Sequence, residues 1–309
     1  MNLKLELLHF KFKPMKESRS IICKVIFITF MISVSSQSLF GQNETSDPIE
    51  IYFSHNGNQL HGWFYKAQGS GPFSTVILLH GSVGQDSDIF NLGESLSKEG
   101  FNVMTYNYPG FWKSEGSPTH ESSLASVQSA INFVKSKYSM QSFETDTSDI
   151  ILLGWSYGGG MALLASNYDS SIKKVMTIAL GDLSLTAEHL ETNQEARSSF
   201  EQMVDSIQSN PSVSRGTTGE KYVEEMINNK DKYDIKRYSE ELAKKKLLFL
   251  VGWLDNRKRM ENDVLPLYRE LQSKGAKNVK IYAYETNHYF VNVQKEFTET
   301  IIDWLRKNE

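Results

Sequence analysis

The chain has 309 residues, of which 39% are hydrophobic and 23% charged, with a formal net charge of −4 and a pI near 6.0. That balance provides for a buried core of ordinary size and excludes the strongly basic surface of a nucleic-acid-binding protein. The single cysteine, Cys23, excludes a disulfide within the chain and a thiolate zinc site, and neither a metal nor a cofactor is expected.

The first unusual stretch is N-terminal. Lys16, Arg19 and Lys24 precede an uncharged apolar run from Val25 to Val34, which gives way to small residues through Gly41. A basic flank, a short apolar core and a small-residue exit make a secretory signal peptide. Residues 1–42 are therefore set aside from the fold, with Met15 as an alternative start, and a secreted or periplasmic location is expected. The apolar run is short for a bilayer span. No stable membrane span is expected after cleavage, an uncleaved anchor being the alternative.

Residues 43–309 read as one domain. Ile49–Ser54 and Gln59–Lys66 are strands joined at Asn56-Gly57, a hairpin-turn dipeptide, so they should pair antiparallel. Ser74–Leu79 is apolar and β-branched, a buried strand that ends in His80-Gly81-Ser82-Val83-Gly84. Ile89–Lys98 is predicted helical, and Phe101–Tyr106 is the next strand. Glu121–Tyr138 carries Leu124, Val127, Ala130, Ile131 and Val134 at a helical period. Ile150–Leu153 and Lys174–Leu180 are two further buried strands. Residues 181–245 are charged and helical in pattern, without a convincing strand, and read as a cap inserted between strands. Lys246–Val251 resumes the strands, Asp263–Ser273 is helical, Val279–Tyr284 is the last strand and Gln294–Arg306 a closing helix. Strands alternating with helices predict an α/β fold, a doubly wound, mostly parallel sheet with a helical cap insertion. Such sheets bind ligands at the C-terminal ends of their strands.

The stretch Gly154-Trp155-Ser156-Tyr157-Gly158 lies between an apolar strand and the helix-forming run from Met161 to Ala165. A strand that turns this sharply into a helix strains the residue at its apex, and the flanking glycines remove side chains that would clash. Ser156 is thereby presented at the positive end of a helix. A serine hydroxyl needs a base to take its proton and a third group to orient that base. His288 and Asp255 both follow strand ends, and parallel strands deliver those ends to one edge. Asp263 and Glu261 are the alternatives for the acid, and an ion pair with Arg257 or Arg259 is the alternative role for Asp255. His9, His55, His61, His120 and His189 are placed away from the site: in the leader, beside the first hairpin, in a polar loop and in the cap. His80 is expected to hold its loop by hydrogen bonds.

Acyl transfer develops an oxyanion, best met by preorganised N–H donors. Tyr157 N–H is one expected donor and Ser82 N–H the other, with Val83 as the alternative. Aromatic residues placed near the mouth are Phe111, Trp112, Trp155, Tyr157, Trp253 and Tyr289, which point to an apolar or aromatic pocket.

Taken together, His80-Gly81, the loop Tyr108-Pro109-Gly110 through Ser114-Glu115-Gly116, the Gly154–Gly158 turn, Gly252–Asp255 and Asn287-His288-Tyr289-Phe290 resemble the α/β-hydrolase-fold serine hydrolases. Within them the chain is similar to the esterase, dienelactone-hydrolase-like and prolyl-oligopeptidase-like branches. Pro109 stands where that family usually has an arginine. The resemblance implies a serine hydrolase with a small-molecule ester as substrate, cleaved through a Ser156 acyl-enzyme. Two alternatives are a peptidase on short peptides, with Glu188, Glu191 or Glu195 taking a free terminus, and a binding protein without turnover.

Overall fold

A computed structural model describes residues 47–82 and 88–307. The predicted leader and the Val83-Gly84 end of the glycine-rich loop lie outside the described residues. β1 (Ile49–His55) and β2 (Asn58–Tyr65) form the expected hairpin, with Asn56 and Gly57 both at positive φ in its turn. β3 (Phe73–Leu79) leads to a short 3-10 turn and α1 (Leu92–Lys98), then to β4 (Asn102–Tyr106). The sequence suggested one helix from 121 to 138. There are two, α2 (His120–Val134) and α3 (Lys137–Phe143), because Ser136 leaves the helix with extended backbone and caps α3 through the Ser139 N–H.

β5 (Thr145–Trp155), α4 (Tyr157–Tyr168) and β6 (Lys174–Ile178) follow. The stretch up to β7 (Lys246–Gly252) is helical, with α5 (Leu183–Thr192), α6 (Gln194–Gln208), α7 (Gly219–Asn228) and short turns. Each of the three helices begins on a side-chain cap, from Asp182, Asn193 and Thr218 respectively. These caps divide the charged segment into helices. After β7 come a π turn, α8 (Leu265–Ser273), β8 (Val279–Tyr284) and α9 (Gln294–Arg306).

The eight strands form one sheet in the order β1-β2-β4-β3-β5-β6-β7-β8. β4 through β8 pair parallel, while β1 and β2 make the antiparallel edge. Strand side chains alternate between two cores. Ile77, Leu79, Ile150, Leu152, Leu247, Phe249 and Val251 pack on one face with α2, α4 and α8. Val76, Leu78, Ile151, Leu153, Leu248 and Leu250 pack on the other with α1 and α9. Burial on both faces explains why these strands read as continuous apolar runs. No helix among the described residues is long and apolar enough to cross a membrane.

Candidate active site

β5 ends at Trp155 and α4 starts at Tyr157, which leaves Ser156 alone at the turn with φ 54° and ψ −116°. A non-glycine residue held there costs on the order of 1–3 kcal/mol. Surrounding hydrogen bonds fix it. Ser156 N–H donates to Ile178 O at 2.8 Å, and its carbonyl accepts from the N–H groups of Gly159 at 2.9 Å and Gly181 at 3.0 Å. The two outer glycines are needed for close approach. A Cβ on Gly154 would stand 2.1 Å from Gly158 O, and one on Gly158 would stand 2.3 Å from Leu79 O.

β7 and β8 deliver the other two groups, and their loops are tied together. Trp253 N–H donates to Tyr284 O and Leu254 N–H to Thr286 O, both at 2.9 Å. His288 Nδ1 lies 2.7 Å from Asp255 Oδ2, and His288 Nε2 lies 3.1 Å from Ser156 Oγ. All three residues are buried, at 7%, 4% and 7% exposure for Ser156, Asp255 and His288. The second Asp255 oxygen accepts the Arg257 N–H at 3.0 Å. Burial pushes the Asp255 carboxyl up, but the bonds from His288 and Arg257 N–H, with the nearby charges of His288 and Arg259, hold it below the usual carboxylate range. An ionised carboxylate only accepts, so Nδ1 carries the hydrogen and Nε2 offers its lone pair to the Ser156 hydroxyl. Trp155 braces this arrangement, its indole N–H donating to His288 O at 3.2 Å. Only the fold reveals that brace.

The alternatives for the acid have other places. Asp263 pairs with Arg259 at 2.5 Å, and Glu261 is exposed. Arg257 meets Asp255 through its backbone, and Arg259 engages Asp263, so Asp255 is not held by an ion pair with either side chain. His55 bonds Ser129, and His61 bonds Glu50. His80 holds its loop as expected, Nδ1 donating to Gly81 O at 2.8 Å and Nε2 accepting Tyr108 N–H at 3.3 Å. His189 and His120 depart from the sequence reading, since both line the cavity that opens over Ser156. His120 is the first residue of α2, buried, with Nδ1 3.2 Å from Tyr157 Oη, and burial drives it down to about 3, which favours its neutral form.

A cavity of about 1390 Å³ opens over Ser156, with Ser82 and Tyr157 in its wall. Tyr157 opens α4, so its N–H has no acceptor within the helix. Helices α5, α6 and α7 supply much of the remaining wall, including Leu190, Phe200, Met203 and Met226. Ala196, Phe200 and Met203 follow the helical period of α6 and form its apolar stripe. The aromatic residues picked out in the sequence are placed differently. Tyr157 lines this cavity, and Phe111 lines a small neighbouring space beside Ser82. Trp253 and Tyr289 are exposed, and Trp155 is engaged with His288. Glu188 and Glu191 reach the cavity but Glu195 does not, and Glu191 is bonded to Lys230. In the loop where Pro109 replaces the arginine, Arg215 serves from the helical insertion, donating to Trp112 O at 3.2 Å and Ser114 O at 3.4 Å.

Asp263 gives a pH-dependent prediction. Burial raises its carboxyl to about 6, helped by the charge of Asp182 and opposed by Arg259. The folded state therefore binds this proton more tightly than the unfolded chain, and the stability it contributes at low pH is lost as pH rises through about 6. Asp263→Asn should flatten the fall in stability between the ordinary carboxylate range and pH 6.5. Thermal melts of both proteins across that window measure it, and parallel curves would show that Asp263 does not titrate there.

The sequence profile of the alpha/beta hydrolase fold matches residues 74–233, more than half of the chain. An uncharacterized protein of Salmonella typhi, YfhR, is 28% identical over 162 residues, covering 47% of this chain and 54% of its own. The chain thus spans about half the length of the curated relatives it matches. Among solved structures, Est1E of Butyrivibrio proteoclasticus with ferulic acid bound superposes with a TM-score of 0.61 at 17% identity, over 83% of this chain and 98% of that one. Pyrococcus horikoshii acylaminoacyl peptidase gives 0.63 at 15% identity, over 96% of this chain and 44% of its own. At such identities these two likenesses concern the fold. The profile match over more than half of the chain, together with the strand order found here, settles the family: the chain belongs to the alpha/beta hydrolase fold family.

Proposed function

We propose that the protein is a serine hydrolase that cleaves a carboxylic ester through an acyl-enzyme on Ser156. The observation that carries this reading is the continuous hydrogen-bonded array from Asp255 through His288 to Ser156 Oγ. Ser156 Oγ attacks the ester carbonyl carbon as its proton passes to His288 Nε2. Asp255 stabilises the imidazolium, and the N–H groups of Tyr157 and Ser82 receive the oxyanion. Collapse of the tetrahedral adduct expels the alcohol, protonated by His288. A water that gives its proton to His288 then attacks the acyl carbonyl, and as this second adduct collapses the bond to Ser156 Oγ breaks, His288 returns the proton to Oγ and the acid leaves.

The apolar stripe of α6 favours an ester with an apolar acyl group. A carboxyl esterase of Bacillus coagulans and the acylaminoacyl peptidase share this fold, which is in keeping with either an ester or a peptide substrate. A peptidase is the second reading, supported by Glu188 in the cavity wall as a partner for a free amino terminus. A binding protein without turnover would have no use for the strained Ser156 backbone. The helical insertion acts in this reading as a cap that shapes the substrate cavity. We also propose that the chain is exported, with residues 1–42 as its leader.

Ser156→Ala should abolish labelling by a fluorophosphonate probe and lower ester turnover by about 10⁴–10⁶-fold, with an unchanged melting curve. Near-normal turnover in that variant would remove the proposal. A panel of matched esters and short peptide amides separates the two enzyme readings. For export, mass spectrometry of the mature protein should find a new N-terminus between Ser35 and Thr45, whereas an intact N-terminus in the cytoplasm would reject the leader.

A further inference from the structure

The turn that carries Asp255 also carries three consecutive cations, Arg257, Lys258 and Arg259, and all three line the cavity that contains Ser156. Asp255 sets the course of this turn. Its Oδ1 accepts Arg257 N–H at 3.0 Å, and its carbonyl accepts Lys258 N–H at 2.9 Å, with Lys258 in the left-handed region at φ 52°. Since Oδ2 of the same carboxylate holds His288, the cations are fixed relative to the imidazole.

Their charges are spent unequally. Arg259 is half-buried and bonded to Asp263 at 2.5 Å. Arg257 and Lys258 are exposed, and neither has an ion-pair partner among the described residues. Of the carboxylates on α5, Glu191 bonds Lys230. Glu188 and Glu261, which form no ion pair among the described residues, share the cavity wall with these two cations, and Glu261 is the one close to them in the chain. An arginine beside an exposed lysine suits a carboxylate, which the guanidinium fork grips through both oxygens.

We propose that Arg257 and Lys258 form a subsite for a carboxylate carried by the substrate, so that the preferred esters are anionic. Its catalytic consequence rests on the serine-hydrolase reading of Ser156. The subsite selects through binding, so its effect falls mainly on KM and weakens with salt.

Two isosteric probe pairs test it. In one, 4-carboxyphenyl butyrate is compared with 4-carbamoylphenyl butyrate, which places the charge in the leaving group. In the other, the mono-4-nitrophenyl ester of glutaric acid is compared with its glutaramide counterpart, which places the charge in the acyl group. At low ionic strength, kcat/KM should favour the acid in at least one pair by about fivefold or more. Arg257→Gln combined with Lys258→Asn should bring that ratio close to one, while kcat/KM for the carboxamides stays within about twofold. Asparagine suits the left-handed backbone at 258. Parity in both pairs for the unaltered protein, or a preference that survives the double substitution, would overturn the proposal. Calorimetric binding of the same pairs to Ser156→Ala separates it from the hydrolase reading. Tighter binding of an acid by Ser156→Ala, with no hydrolysis of either pair by the unaltered protein, would keep the subsite and remove the hydrolase reading, whereas equal binding of acids and amides would remove the subsite.

Discussion

The site depends on how closely backbone approaches backbone at the turn between β5 and α4. With no side chain at Gly154 or Gly158, the helix can start directly against the end of the strand and against Leu79 of β3. That contact leaves Ser156 no relaxed conformation, and its carbonyl becomes an anchor for Gly159 and Gly181. Gly181 is where β6 passes into the helical insertion, so one peptide group links the serine, the central sheet and the start of the helices above it. The strain at Ser156 is sustained because these bonds and the packing of α4 over-determine it.

The other two residues of the array hydrogen-bonded to this turn are brought to it along the sheet edge. β7 and β8 end side by side, and the bonds between residues 253–254 and 284–286 keep their loops in register, so that Asp255 and His288 meet at hydrogen-bonding distance. The helical insertion then supplies the cavity's apolar wall, and the Asp255 turn supplies its cationic one. On the proposed serine-hydrolase reading, positioning of the reacting groups and selection of what reaches them would fall to different parts of the chain.

Much of this was legible in the residues. Burial on both sheet faces writes the strands as apolar runs, and the last strand and last helix begin and end where the sequence placed them, at Val279–Tyr284 and Gln294–Arg306. Ser156, Asp255 and His288 could be picked out because each follows a strand end, where the topology brings side chains together. Other features needed the fold. Nothing local to Trp155 says that it will brace a residue 133 positions further on. His120 sits among polar neighbours in sequence, yet α2 carries it beneath Tyr157. The cavity's apolar lining was sought in aromatic residues of the sheet-edge loops. Tyr157 does line it, but much of the rest comes from α5, α6 and α7, whose apolar faces become a wall only as the insertion folds back over the sheet.

The central claim is that Asp255 and His288 act on the proton of Ser156 as one unit. The most direct test is a four-member cycle of the unaltered protein, Asp255→Asn, His288→Ala and the double variant, read as kcat/KM for ester hydrolysis with melting curves as a folding control. Groups that act together are strongly non-additive. The account predicts a loss on the order of 10⁴-fold for Asp255→Asn, and a double variant scarcely worse than His288→Ala alone. Additive losses would show that the two residues do not serve the same proton, and would contradict the account.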